Sequence, residues 1–141
     1  QIFNNKNNLK GGDMQRDIIA TTKAPQAIGP YSQAVRFNNL LFLSGQIPLE
    51  PESGEILKGN IKEQTKQILE NLKNVLIAGG SSLDNVLKTT IFLANMEDYA
   101  TVNEVYAQFF EKSQPARSTV QVSRLPMDVK IEIDAIACIN T

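Results

Sequence analysis

Two charged residues stand in otherwise apolar, strand-like runs near the C-terminal end of the sequence. Arg117 lies near the start of PARSTVQV (115–122), where small or β-branched residues alternate with polar ones as in a strand. Glu132 lies in the next such run, VKIEIDAIA (129–137). A guanidinium can hold a carboxylate through two parallel hydrogen bonds, and a carboxylate can position water and transfer protons. The spacing alone supports a fixed cation and a carboxylate on successive strands, while a solvated or ion-paired Arg117 is the simpler alternative.

The absence of histidine narrows the chemistry further. The 141 residues include no histidine and one cysteine, Cys138. A Ser-His-Asp triad, a Cys-His pair, an HExxH zinc site, a two-histidine ribonuclease site and a structural zinc site are therefore excluded. Catalysis must depend on carboxylates, Arg, Lys, Tyr, hydroxyl groups, the backbone or water, and we expect no metal or cofactor. A single cysteine also excludes a disulfide within the chain and fits a reducing compartment.

Composition predicts a globular protein without a nucleic-acid or membrane partner. Hydrophobic residues make up 42% of the sequence, and 14 basic residues nearly balance 15 acidic ones. Such a chain has no long-range positive field to attract phosphate backbones. No apolar run approaches the roughly 20 residues that a membrane-spanning helix needs.

Hydrophobic patterning places the charged pair in one domain. Residues 1–17 are rich in Asn, Lys and Gly and show no sustained period, which predicts a flexible extension ahead of a domain spanning residues 18–141. Alternating or continuous apolar runs predict strands at 31–37, 40–44, 86–94, 117–122 and 129–139, and residues 18–20 fit a further short strand.

Two helices are predicted between these strands. Residues 60–78 carry apolar side chains on one face and charges on the other, and a Gly-Gly pair follows. Asn95 predicts the N-cap of a second helix that runs through Phe110 and buries Tyr99 and Tyr106. The order β-β-α-β-α-β-β predicts an α+β domain in which two helices pack on one face of a mixed sheet.

Five separated motifs show a resemblance to a known family. In chain order they are AIGPYSQAV (27–35), LSGQIP (43–48), NVLKTTIFLANMEDYATVNEVYAQFF (85–110), PARSTVQVSRLP (115–126) and VKIEIDAIA (129–137). Their order and spacing resemble the RidA/YjgF family, also called L-PSP, over almost the whole predicted domain. The resemblance implies a chorismate-mutase-like fold and a homotrimer with a cleft at each subunit interface.

The resemblance also implies an activity. Members of this family hydrolyse reactive 2-imino acids, such as 2-iminopropanoate and 2-iminobutanoate, to 2-oxo acids and ammonia. These imino acids arise from pyridoxal-phosphate enzymes that act on serine or threonine. The expected partner is therefore a small imino acid, and the expected location is the cytoplasm, with a mitochondrion or another organelle as the alternative.

Site residues follow from the matching positions. The resemblance implies that Arg117 holds the substrate carboxylate and Glu132 positions water and transfers protons. The supporting substrate-binding positions are Tyr31, Ser44, Gly45, Asn103 and Thr119. Thr119 stands where many relatives carry Cys, a change that is tolerable if the backbone carbonyl at this position binds the imine nitrogen.

Each position also has a purely structural interpretation. Glu132 could form an ion pair with Arg or Lys, Tyr31 could be a core aromatic, and Asn103 an exposed helix residue. Ser44 and Gly45 could simply end a strand in a turn.

Two other functions stay open at this point. One is an endoribonuclease that inhibits translation, an activity also attributed to this family, in which Arg117 and Arg124 could contact phosphate. The absence of histidine and the acidic balance argue against it. The other is a non-catalytic, ligand-binding or chaperone-like trimer.

Overall fold

The computed structural model of the protein describes residues 15–139. Helices are α1 (Ile61–Ala78) and α2 (Tyr99–Phe110), and strands are β1 (Arg16–Ile19), β2 (Ala34–Phe37), β3 (Leu40–Gln46), β4 (Val86–Leu93), β5 (Ala116–Gln121) and β6 (Ile131–Cys138). Strand β1 begins at Arg16, just before the predicted start of the domain. The rest of the predicted extension, residues 1–14, lies outside the described residues.

The six strands form one mixed sheet in the order β1-β2-β3-β6-β4-β5. Only the β4–β5 pair is parallel among these strands, and every other pair is antiparallel. The α+β class and the mixed sheet are confirmed. The predicted order left out β1, although residues 18–20 fit a short strand by sequence; β1 pairs with β2 along its whole length.

Apolar side chains explain why both helices lie on one face of this sheet. Asn60 caps the start of α1, since its side chain accepts a hydrogen bond from the Glu63 N–H. The apolar face of this helix turns Leu69, Leu72 and Leu76 into the core. The strands contribute fully buried residues from the same face, namely Leu41, Ile91, Leu93, Ile131 and Ile133.

The other face of the sheet is not covered within the described chain. Phe42 on β3 and Val120 on β5 point to it and are 42% and 41% exposed. None of the described helices is long and apolar enough to cross a membrane.

A β-bulge interrupts strand β3 next to β6. Leu43 pairs with Ala135, but the next pair is Gln46 with Ile133, so one strand has an extra residue in this interval. Bulges redirect side chains and often lie near functional sites. This one contains Ser44 and Gly45, two of the predicted site residues.

Candidate functional site

A cavity of about 510 Å³ brings together four of the predicted site residues. It is lined by Tyr31 from the loop before β2, Ser44 and Gly45 from the bulge of β3, and Glu132 from β6. Most of the remaining wall is apolar. The cavity therefore places one carboxylate and a few polar groups in mainly apolar surroundings, as small-molecule sites commonly do.

The carboxyl group of Glu132 lies directly against the backbone of Gly45. A Cβ atom built at Gly45 would be 2.8 Å from both Cδ and Oε2 of Glu132. Any side chain at position 45 would thus displace the carboxyl group. Gly45 is at this position because the carboxyl group occupies the space of its missing side chain.

The environment of Glu132 favours its protonated form. Burial raises its pKa above the ordinary glutamate value, and the nearby charge of Asp134 raises the pKa further. Within residues 15–139 the one ion pair joins Arg124 to Asp128, so Glu132 has no cationic partner in the described chain. A carboxyl group with a raised pKa in a cavity is suited to proton transfer near neutral pH.

Ser44 and Tyr31 are both held by local hydrogen bonds. The Ser44 hydroxyl donates to the Ser32 carbonyl at 2.6 Å, which leaves its lone pairs free to accept. The Tyr31 hydroxyl accepts from the Ile28 N–H at 3.2 Å, and the side chain is 54% exposed, so Tyr31 is not a core aromatic. Its hydroxyl proton can still be donated to a ligand.

Gln33 is a supporting residue that sequence reasoning missed. Its buried side chain accepts from the Thr21 N–H at 2.7 Å and donates to the carbonyls of Thr21, Ala24 and Pro25. These bonds fix the loop that forms one wall of the cavity. The sequence did offer one indication of this role: Gln33 directly precedes the apolar strand β2. A buried amide there would cost free energy unless it formed hydrogen bonds.

A second cluster surrounds Arg117, away from the Glu132 cavity. Nη1 of Arg117 donates to Oδ1 of Asn103 at 2.7 Å, and Nη2 donates to the hydroxyl of Tyr99 at 2.8 Å. The guanidinium carbon lies 4.8 Å from the centre of the Tyr106 ring. Residues 99, 103 and 106 share one face of α2 because they are four and three residues apart.

Tyr106 is fixed in turn by the sheet. Its hydroxyl is 2.7 Å from Oγ1 of Thr89, the residue that pairs with Arg117 across β4 and β5. Burial raises the pKa of Tyr106, while the bond to Thr89 and the charge of Arg117 oppose this shift. The guanidinium is therefore held from several sides and retains further N–H groups for a ligand.

The two tyrosines predicted to be core residues differ in the structure. Tyr106 is 6% exposed and belongs to the core, as predicted. Tyr99 is 38% exposed, so that prediction was wrong: its hydroxyl binds Arg117. Apolar periodicity could not separate them, since both lie on the same helical face.

Thr119 offers its backbone rather than its hydroxyl. Oγ1 of Thr119 is buried and lacks a hydrogen-bond partner among the described residues. The Val122 N–H donates to Leu93 on β4, so by alternation the N–H and C=O groups of Thr119 point away from β4. They lie at the edge of the sheet, where β5 is the last strand.

The two clusters lie on opposite faces of the sheet. Arg117 pairs with Thr89 and shares the helix-covered face, whereas Glu132 pairs with Phe92 and points to the uncovered face. The two charged residues lie on successive strands of the chain, as predicted, but β4 separates these strands in the sheet. One chain therefore holds two separate clusters and does not bring Arg117 to Glu132.

Comparisons with known proteins agree with this architecture. Residues 21–139 match the family model described as endoribonuclease L-PSP. The chain is 57% identical to a RutC family protein of Pyrococcus horikoshii over 122 residues, covering 86% of this chain and 97% of that protein. It is 50% identical to the 2-iminobutanoate/2-iminopropanoate deaminase of Mus musculus over 122 residues, covering 86% of this chain and 90% of the relative.

The fold is also similar to that of a solved structure. The crystal structure of E. coli TdcF with bound serine has a TM-score of 0.83 at 48% identity, covering 88% of this chain and 99% of that one. With the α+β fold, the matched motifs and these likenesses, the chain belongs to the RidA/YjgF family, whose family model carries the description endoribonuclease L-PSP.

Proposed function

We propose that this protein is an imine hydrolase that converts 2-iminopropanoate and 2-iminobutanoate to 2-oxo acids and ammonia. The observation that carries the proposal is the half-buried Glu132 carboxyl group with a raised pKa in a largely apolar cavity. The mouse relative is named for this activity, and TdcF was crystallised with serine, an amino acid that also carries a carboxylate. No lysine or arginine of the described residues lines this cavity, so a cation that holds the substrate carboxylate must come from outside it.

Arg117 supplies the binding half of the mechanism. A substrate carboxylate can accept two parallel hydrogen bonds from guanidinium N–H groups that Asn103 and Tyr99 do not use. Since the guanidinium is already fixed, little side-chain entropy is lost when the substrate binds. The backbone carbonyl of Thr119, on the same strand, would accept a hydrogen bond from the imine nitrogen.

Glu132 supplies the chemical half. In the protonated imine, the oxygen of a water molecule forms a bond to C2, the second electron pair of the C=N bond moves to nitrogen, and the Glu132 carboxylate takes a proton from that water. Glu132 then passes this proton to the amine nitrogen of the resulting carbinolamine. As the C–N bond breaks and ammonia leaves, the hydroxyl proton returns to Glu132 and the C=O bond of the 2-oxo acid forms. The raised pKa of Glu132 keeps the proton affinity of the carboxyl group close to what both steps require.

A complete site requires a second copy of the chain. Because the Arg117 cluster and the Glu132 cavity lie on opposite sheet faces, we infer that they are two half-sites of a homotrimer, in which each interface joins one of each kind into a cleft. One subunit gives Arg117, Asn103 and Thr119, and its neighbour gives Tyr31, Ser44, Gly45 and Glu132. Burial of the uncovered, partly apolar sheet face would supply the free energy of assembly.

The function is tested with an L-amino-acid oxidase that generates 2-iminopropanoate from alanine. Wild-type protein should accelerate imine loss, and Glu132→Gln should lower kcat by about a hundredfold or more because the group that transfers protons is gone. A wild-type rate equal to the rate in buffer would refute the function.

Asp134→Asn should move the acidic limb of the pH–rate profile to lower pH, since Asp134 raises the pKa of Glu132.

Glu132→Gln should also change stability in a defined direction. Folding raises the pKa of Glu132. At pH values between the pKa of an ordinary glutamate and the raised pKa, the native state therefore binds more protons than the unfolded state. Wild-type stability therefore falls across that window, and the variant should be the more stable protein at neutral pH. A loss of activity with a gain in melting temperature would separate catalysis from folding.

Gly45→Ala should reduce activity without unfolding the protein. The new Cβ would meet the far end of the Glu132 side chain, which can move aside, but the carboxyl group then leaves its position. We expect kcat to fall by roughly a hundredfold, the cost of a displacement of about 1 Å.

Gly59→Ala is the matched control for this change. Its Cβ would lie 2.6 Å from Oε2 of Glu63, so the same kind of contact displaces a surface carboxylate outside the cavity. This control should leave kcat unchanged in the imine assay. Equal rates for Gly45→Ala and wild type would show that the position of Glu132 is unimportant.

A further inference from the structure

Large apolar side chains are exposed around the opening of the Glu132 cavity. Ile28 is 78% exposed, Met127 is 60% exposed and Tyr31 is 54% exposed, and all three line the cavity. Water-facing apolar side chains in a cluster usually mark a binding surface. The methyl group of 2-iminopropanoate would contact only a small part of this wall.

Met127 is held at the cavity in an unfavourable backbone conformation. Its φ is 56° and that of Asp128 is 55°, so two successive residues other than glycine occupy the left-handed region. Such residues carry a free-energy cost of about 1 kcal/mol or more each and persist where the surroundings impose them.

Residues on both sides of Met127 hold the turn in this conformation. Leu125 is 7% exposed and anchors the start of the turn. Arg124 then donates two hydrogen bonds to the Asp128 carboxylate, at 2.6 and 3.1 Å. These contacts hold the ends of the turn, while the Met127 side chain between them is mostly exposed.

We propose that Met127 and Ile28 form the subsite for the side chain of the imino acid, and that this subsite favours extended apolar side chains over a methyl group. The apolar rim and the Glu132 carboxyl group line the same cavity. If Glu132 acts at the C=N carbon of the substrate, the side chain on that carbon extends along the apolar rim. The flexible thioether of Met127 adapts to side chains of different shape. This inference rests on the proposed imine hydrolysis.

The test compares kcat/KM for the imino acids that an L-amino-acid oxidase forms from leucine and from alanine. Wild type should favour the leucine-derived compound. Met127→Gly should lower the leucine-to-alanine ratio by about fivefold or more, because apolar contact is lost from the longer side chain alone. The variant should not be less stable, since glycine adopts a φ of 56° without strain.

Asn38→Gly is the matched control, because Asn38 also has a positive φ, 54°, but lies in the β2–β3 turn away from the cavity. It should leave the ratio unchanged. If Met127→Gly hydrolyses both compounds with the wild-type ratio, the subsite is wrong while the imine hydrolase stands. If Met127→Gly dissociates the assembly in light scattering, Met127 contacts a neighbouring subunit and the subsite is again wrong. A wild type inactive toward both compounds overturns the proposed function and this inference together.

Discussion

Replacing Arg117 by alanine should lower kcat/KM for 2-iminopropanoate by about a hundredfold to a thousandfold. Removing one partner of a hydrogen-bonded charge pair costs about 2–5 kcal/mol, and here the unpaired charge would be the substrate carboxylate. The loss should appear mainly in KM if Arg117 only binds the substrate. The measurement is steady-state kinetics in the oxidase-coupled imine assay.

Two further arginine variants make this prediction specific. Arg117→Lys keeps the charge but cannot donate to Asn103, Tyr99 and a carboxylate in one plane, so we expect most of the activity to be lost. Arg36→Ala removes an exposed arginine whose bond is to the Asn38 carbonyl, and it should behave as wild type. Full activity of Arg117→Ala would show that another group binds the carboxylate.

Local sequence patterns were sufficient to predict most of the fold. The 3.6-residue period and the Gly-Gly pair after it predicted α1, and apolar alternation predicted the strands that carry Arg117 and Glu132. Strand β1 was predicted only as a possible short strand at residues 18–20 and was left out of the predicted order, because so few residues show no clear period and pairing with β2 defines the strand.

The site was harder to predict than the fold because its geometry depends on sheet order. Arg117 and Glu132 lie on strands that are successive in sequence, and alternation within each strand does not say how the two strands are ordered in the sheet. Only the insertion of β4 between them, together with the register of the pairs, puts the two side chains on opposite faces. The bulge that brings Gly45 against Glu132 has no local signal either, since it is defined by pairing with β6.

The positioning roles of Tyr99 and Gln33 were not predicted from the sequence. Their roles are to position other groups: Tyr99 holds Arg117, and Gln33 holds the loop beside Tyr31. Each role consists of hydrogen bonds between residues at least 8 positions apart in sequence. Residue type alone does not reveal such bonds, although a polar group in apolar surroundings indicates that a partner exists.

If the proposed cleft is shared between subunits, two variants that are inactive alone should restore activity when they are combined. Arg117→Ala retains Glu132, and Glu132→Gln retains Arg117. In the proposed trimer, each cleft would take its arginine from one subunit and its glutamate from the next. If the variants are refolded together in equal amounts, about a quarter of the clefts should contain both functional residues, because each of two independent choices succeeds half of the time.

Activity should therefore rise from near zero in either variant alone to about a quarter of the wild-type value in the mixture. The double variant refolded with wild type is the control for mixing: it should also give about a quarter if clefts are shared between subunits, but about half if each chain contains its own site. A mixture of single variants that stays inactive while this control gives about half would place Arg117 and Glu132 in one chain's site. Recovery in the single-variant mixture requires them to act from different chains, since no subunit in that mixture carries both residues.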